Sequence, residues 1–140
     1  MAEAAKPILG YWSIRCGPRG NVNRNILNFA GVDYTEKFYN PETEEGRAEW
    51  ANDKANAGIP FANLPYMIDG DFKITESKAV TLYICEKWAP ELLGANSQEK
   101  GQILMLQSVM ADHMMDFIFN VAFKVNDKEA VLAKANEKMP

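Results

Sequence analysis

Ile8-Leu9-Gly10-Tyr11-Trp12 opens the stretch that decides the fold. It continues through Trp50-Ala51-Asn52-Asp53-Lys54 and Asn63-Leu64-Pro65-Tyr66, and closes on Thr75-Glu76-Ser77. Ile8 to Trp12 reads as a short buried strand ending in an aromatic pair. Cys16-Gly17-Pro18-Arg19-Gly20 is a turn cluster. Asn21 to Ala30 carries Val22, Ile26, Leu27 and Phe29 at helical spacing, with Gly31 as its stop. Tyr34 to Tyr39 alternates as a second strand, and a short helix is expected over Arg47 to Lys54. Pro65 to Ile74 reads as a hairpin turning on Asp69-Gly70. Ser77 to Trp88 then forms a helix whose apolar face is Ala79, Val80, Leu82, Tyr83 and Ile84.

Outward from this α/β unit, Pro90 to Asn96 reads as a linker. Asn96 and Glu99 suit a capping pair for a long Met-rich helix, Ser97 to Phe123. A polar, Ala-rich helical stretch follows over Asp127 to Lys138. The expected domains are 1–89, α/β, and 90–140, all-helical. The 140 residues are 47% hydrophobic and 24% charged, with a formal net charge of −4, which is enough for a core and a solvated surface. The acidic balance disfavours nucleic acid as a partner. No apolar run reaches the roughly 18 residues of a membrane span, and the first residues lack the order of a secretion signal. Two cysteines, Cys16 and Cys85, are too few for a disulfide framework or a cysteine-only zinc site. No metal site is expected, and the cytoplasm is the expected compartment.

The chemistry gathers where strands end. Tyr11 lies at the carboxyl end of the first strand, the edge where open α/β sheets bind ligands. Its phenol either donates a hydrogen bond to a thiolate or packs in the core. A free thiol titrates near 8.5, so a directed donor beside a helix N-terminus would raise its ionised fraction. Trp12, Arg47, Trp50 and Lys54 are candidate donors to a carboxylate. Trp50 and Lys54 share a helical face, and the alternative is an aromatic packed beside solvated charges. A cis bond between Leu64 and Pro65 would leave the Leu64 backbone free to pair with a ligand's own backbone, although cis is the minority form for such bonds. Glu76 and Ser77 open a helix, where a hydroxyl and backbone N–H groups take a carboxylate and the Glu76 carboxylate takes an ammonium. A plain N-cap is the other reading. Cys16, before the first helix, is either a monothiol nucleophile or an inert turn residue. Cys85 belongs to the core. His113, beside Asp112, reads as a helix-surface residue with a proton shuttle as the alternative. Met105, Met110, Met114 and Met115 read as packing, with the lining of an apolar substrate pocket as the alternative.

The order and spacing of these four pieces resemble the cytosolic glutathione transferases, closest to the mu class, over nearly the whole chain. The resemblance implies a thioredoxin-like domain with a mixed four-stranded sheet, followed by part of an all-helical domain. It implies glutathione as co-substrate and an apolar electrophile as second substrate, in a detoxifying transferase. By it, Tyr11 activates the glutathione sulfur, and Trp12, Arg47, Trp50 and Lys54 surround the glycyl carboxylate. Leu64, with Asn63 and a cis Pro65, pairs with the cysteinyl backbone, and Glu76 with Ser77 grips the γ-glutamyl end. Asp112 resembles an aspartate that reaches across the dimer interface. The partners implied are a second copy of the chain or a larger assembly; the alternative function is a non-catalytic subunit of a protein complex. The chain departs from the pattern at Glu76, where the mu class has glutamine. It departs again in the turn after Arg15, and in a helix carrying Asn21, Asn23 and Asn25 beside the expected sulfur position.

Overall fold

The computed structural model describes residues 5–14 and 17–117. The chain divides into two compact units, Met1–Leu93 and Gly94–Pro140. The first runs β1 (Ile8–Trp12), α1 (Pro18–Phe29), β2 (Thr35–Tyr39), α2 (Glu44–Asn56), β3 (Tyr66–Asp69), β4 (Phe72–Thr75) and α3 (Ser77–Trp88), and ends in a 3-10 turn, Pro90–Leu93. The sheet order is β2-β1-β3-β4. β1 and β2 are parallel, while β3 runs antiparallel to both β1 and β4. This is the mixed four-stranded sheet that the resemblance implies.

Strand alternation divides the sheet into two faces. Leu9 and Met67 stand opposite each other across β1 and β3. They pack with Leu27 of α1 and with Val80 and Ile84 of α3. Tyr39 and Tyr66 pack instead with Trp50 of α2, joined by Ile8, Trp12 and Ile68. Helices α1 and α3 therefore cover one face and α2 the other.

Three element boundaries differ from expectation for local reasons. α1 begins at Pro18, three residues early, because a proline at the first helical position loses no hydrogen bond. α2 begins at Glu44, where the Thr43 side chain accepts from the Gly46 N–H at 3.1 Å; that is an N-cap placed ahead of the apolar residues. The expected linker is partly helical, at Pro90–Leu93.

The apolar faces also shift. Val22, Phe29 and Leu82 are exposed rather than buried. Asn23 is fully buried between α1 and α3. Its Oδ1 accepts from the Thr81 hydroxyl at 2.7 Å, and its Nδ2 donates to the Arg19 carbonyl at 3.3 Å. Those bonds offset the cost of burying an amide.

In the second unit, α4 (Ser97–Phe117) starts on the expected capping pair. Asn96 Oδ1 accepts from the N–H groups of Gln98 and Glu99, and Glu99 reaches back to the Ala95 N–H at 2.7 Å. Of the Met residues, Met105 and Met110 are exposed, while Met114 and Met115 are half-buried. The helical stretch expected over Asp127 to Lys138 lies outside the described residues.

Candidate functional site

Register alone brings the sequence-predicted pieces to one end of the sheet. Trp12 is paired with Tyr39 at the carboxyl ends of β1 and β2. Gly10 faces Tyr66 at the start of β3, and Tyr66 faces Thr75 at the end of β4. The loop before β3, the start of α3 and the start of α1 therefore meet where β1 ends. Tyr11, Trp50 and Leu64 are buried in one cluster, with Trp12 packed against it. Asn63, Pro65, Glu76 and Ser77 follow Leu64 or β4 to the same end.

The Tyr11 ring lies on the start of α1. A Cβ added at Gly17 would come within 2.5 Å of its Cε1, and one at Gly20 within 2.7 Å of its Cγ. Only glycine lets the helix approach this closely. Gly17 and Gly20 are thus the surface on which the ring rests. The Arg24 guanidinium stands 5.8 Å from the Tyr11 ring centroid and 5.3 Å from that of Phe38, and it is held by Glu36 and Asn21. Burial pushes the Tyr11 phenol above its ordinary value, and the charges of Arg19 and Arg24 pull it partly back. The phenol stays protonated at neutral pH and is a donor, not a base. Of the asparagines Asn21, Asn23 and Asn25 of α1, Asn23 faces α3, Asn25 is exposed and Asn21 is half-buried.

Helix α2 presents Arg47, Trp50 and Lys54 along one stripe. Trp50 is only 9% exposed and stacks on Tyr66 at 6.1 Å, with Trp12 edge-on at 6.3 Å. It is first a packing residue. Arg47 and Lys54 are exposed, and Arg47 Nη1 donates to the Pro41 carbonyl at 2.8 Å. The helix comes close to β2 because Gly46 has no side chain; a Cβ there would lie within 2.7 Å of the Asn40 nitrogen.

The Leu64–Pro65 bond is cis. The Leu64 N–H is not free, as expected from the sequence, but donates to Asn63 Oδ1 at 2.9 Å. The Thr75 hydroxyl reaches the carbonyls of Asn63 and Pro65, at 2.8 and 3.3 Å, on either side of Leu64. Asn63 Nδ2 donates to Glu76 Oε1 at 3.1 Å. Glu76 is the cap residue of α3, at φ +71°, and makes no side-chain cap bond. A left-handed non-glycine residue costs about 1–3 kcal/mol and is commonest at ligand sites. The first N–H groups of α3 consequently have no capping side chain.

Asp112 and His113 lie exposed on α4 in the second unit. Cys16 lies outside the described residues. Cys85 is buried, and burial pushes its thiol up. Among the described residues no group of three or more His, Cys, Asp or Glu is placed to hold a metal ion, and no helix is long and apolar enough to cross a membrane. Sequence reasoning missed Thr75, Tyr39, Tyr66 and Asp53, which support the predicted residues from beneath. Asp53 stands three residues after Trp50, on the same helical face; that spacing was the available signal.

Residues 7–86 match the glutathione S-transferase N-terminal domain. The chain belongs to that family. It is 39% identical over 124 residues to a glutathione S-transferase of Dermatophagoides pteronyssinus, covering 87% of this chain and 54% of the relative. Against a class-mu 26 kDa isozyme of Schistosoma japonicum the identity is 41% over 108 residues, covering 76% and 45%. Against the human Mu 5 enzyme it is 36% over 112 residues, covering 79% and 50%. The chain therefore spans about half the length of the curated relatives it matches. The crystal structure of a glutathione S-transferase of Ascaris lumbricoides superposes with a TM-score of 0.69 at 26% identity, covering 91% of this chain and 58% of that one.

Proposed function

We propose that this member of the glutathione S-transferase family binds glutathione at the carboxyl end of β1 and transfers its thiolate to an apolar electrophile. The observation that carries the reading is the convergence, by strand register, of Tyr11, the Trp12–Trp50 pair, Leu64 and the open start of α3 at one sheet end. In this reading the protonated phenol of Tyr11 donates to the glutathione sulfur and favours its ionised form. Trp12, Arg47, Trp50 and Lys54 face the glycyl carboxylate. The Leu64 carbonyl, between Asn63 and Pro65, receives the cysteinyl N–H. The α3 N-terminus at Ser77 receives the γ-glutamyl carboxylate, and Glu76 its ammonium. The thiolate forms a carbon–sulfur bond as the electrophile's leaving group departs with its electron pair, and catalysis comes from thiolate activation and proximity.

Residues 1–89 form the glutathione-binding domain in this account, and 90–140 belong to an all-helical one. The native partner is a second copy of the chain, with Asp112 at the interface, and the compartment is the cytoplasm. Exposed Leu104, Leu106 and Met110 on α4 favour such association. Tyr11→Phe tests the site: conjugation of a chromogenic electrophile is expected to fall about ten- to a hundredfold, the equivalent of one to two pKa units at sulfur. Glutathione affinity should stay within about twofold, because the rest of the site is untouched. Unchanged turnover would remove Tyr11 from the chemistry.

A further inference from the structure

Beneath the aromatic cluster a chain of polar groups joins β2 to α2. The Tyr39 hydroxyl donates to Asp53 Oδ2 at 2.6 Å. Since an ionised carboxylate only accepts, the Tyr66 hydroxyl, 2.8 Å from Tyr39, donates to Tyr39. Lys37 Nζ meets the same Asp53 oxygen at 2.5 Å and Glu49 Oε1 at 3.3 Å. One carboxylate oxygen of α2 is thus held by two residues of β2. The Tyr39 and Tyr66 rings on which Trp50 packs belong to the same chain, with centroids 5.3 and 6.1 Å away.

Helix α2 needs such a hold. Of its 13 residues only Gly46 and Trp50 are buried. Gly46 fixes the first turn against Asn40 and Trp50 fixes the middle. Past Trp50 the tie to β2 is polar, and it is Asp53. The neighbouring residue is Lys54, and Arg47 and Trp50 lie on the same stripe. A rotation or slide of α2 would move all three together.

We propose that Tyr39, Asp53 and Lys37 form a clamp that sets α2 on the sheet and so holds Arg47, Trp50 and Lys54 in place for the ligand's terminal carboxylate. They are positioning residues: none reaches the ligand, and each acts through the helix. The inference rests on the glutathione site proposed above and assigns these residues to one end of that ligand.

The test compares two ligands on the intact chain by calorimetry: glutathione, and γ-glutamylcysteine, which lacks the glycyl carboxylate. Asp53→Asn is expected to weaken glutathione about tenfold, the size of a lost charge-assisted bond. It should weaken γ-glutamylcysteine less than about twofold, because the carboxylate of that ligand, on its cysteine, ends one residue short of the stripe. Tyr39→Phe keeps the ring packing and removes only the hydroxyl. It should show the same selective loss, and it decides the matter if Asp53→Asn does not fold. Equal weakening of both ligands, or weakening of neither, overturns the clamp while leaving the glutathione site standing. An unsubstituted chain that binds neither ligand overturns the site itself, and the clamp with it.

Discussion

At the scale of single residues, the site is governed by what lies against each functional side chain. Tyr11 was legible as a strand-end phenol, but its setting was not. The residues that make room for it, Gly17 and Gly20, sit in a turn that reads only as punctuation. Gly20→Ala would drive a methyl into the Tyr11 ring, and overpacking of this kind costs about 1–3 kcal/mol. We expect a lower melting temperature together with slower conjugation, measured on the same preparation. A variant with normal stability and turnover would show that the ring does not depend on this contact. Trp50 was read as a donor or as a packed aromatic, and which rings it packs on, Tyr39 and Tyr66, was not legible. The backbone of Leu64 was read as free, yet its N–H is taken by the adjacent Asn63 side chain. Neither outcome leaves a mark in local sequence, because each depends on how a loop or a helix is laid on the sheet.

Elements were easier to read than their faces. The hairpin between β3 and β4 is announced by Asp69-Gly70, and α3 begins where Ser77 predicts. The faces of α1 and α3 were misjudged at Val22, Phe29 and Leu82, because helical spacing says which residues share a face but not which face is covered. Asn23 shows the converse, a polar residue buried because Thr81 on α3 satisfies it. The clamp on α2 was invisible for a related reason: Tyr39 and Asp53 are fourteen residues apart and meet only after β2 and α2 are docked.

That clamp makes α2 sensitive to acid. Hydrogen bonds from Lys37 and then Tyr39 hold the Asp53 carboxyl below its ordinary value of 3.8. A carboxyl depressed in the folded state stabilises the fold above its unfolded value, and that contribution is lost as pH falls through the folded value. Thermal unfolding of the chain should therefore shift downward as pH drops below about 4. Asp53→Asn should flatten that decline, although Asp69, held low by Lys87 and Tyr83 against the opposing effect of burial, leaves part of it in place. An unaltered acid profile in Asp53→Asn would show that the carboxylate is not stabilised by folding.

For the whole molecule, the first unit carries every residue of the proposed site except Asp112, which stands on α4 in the second. The α/β character of the first unit was legible because β1, the hairpin and α3 are each announced locally; its thioredoxin-like arrangement was legible only through the resemblance of its motifs to the glutathione transferases. What covers α4 was not legible, since apolar spacing marks Leu104, Leu106 and Met110 for burial and they are exposed. If a second copy is the partner, sedimentation equilibrium at tens of micromolar, about the range of a modest interface, should give twice the chain mass; a monomer throughout would contradict the dimer.

The central claim is that one sheet end recognises glutathione, and its most direct measurement is calorimetric titration of the unsubstituted chain with glutathione. The account predicts saturable heat with one glutathione per chain. Absence of saturable heat at millimolar glutathione, about the weakest affinity a working transferase site would have, would contradict it.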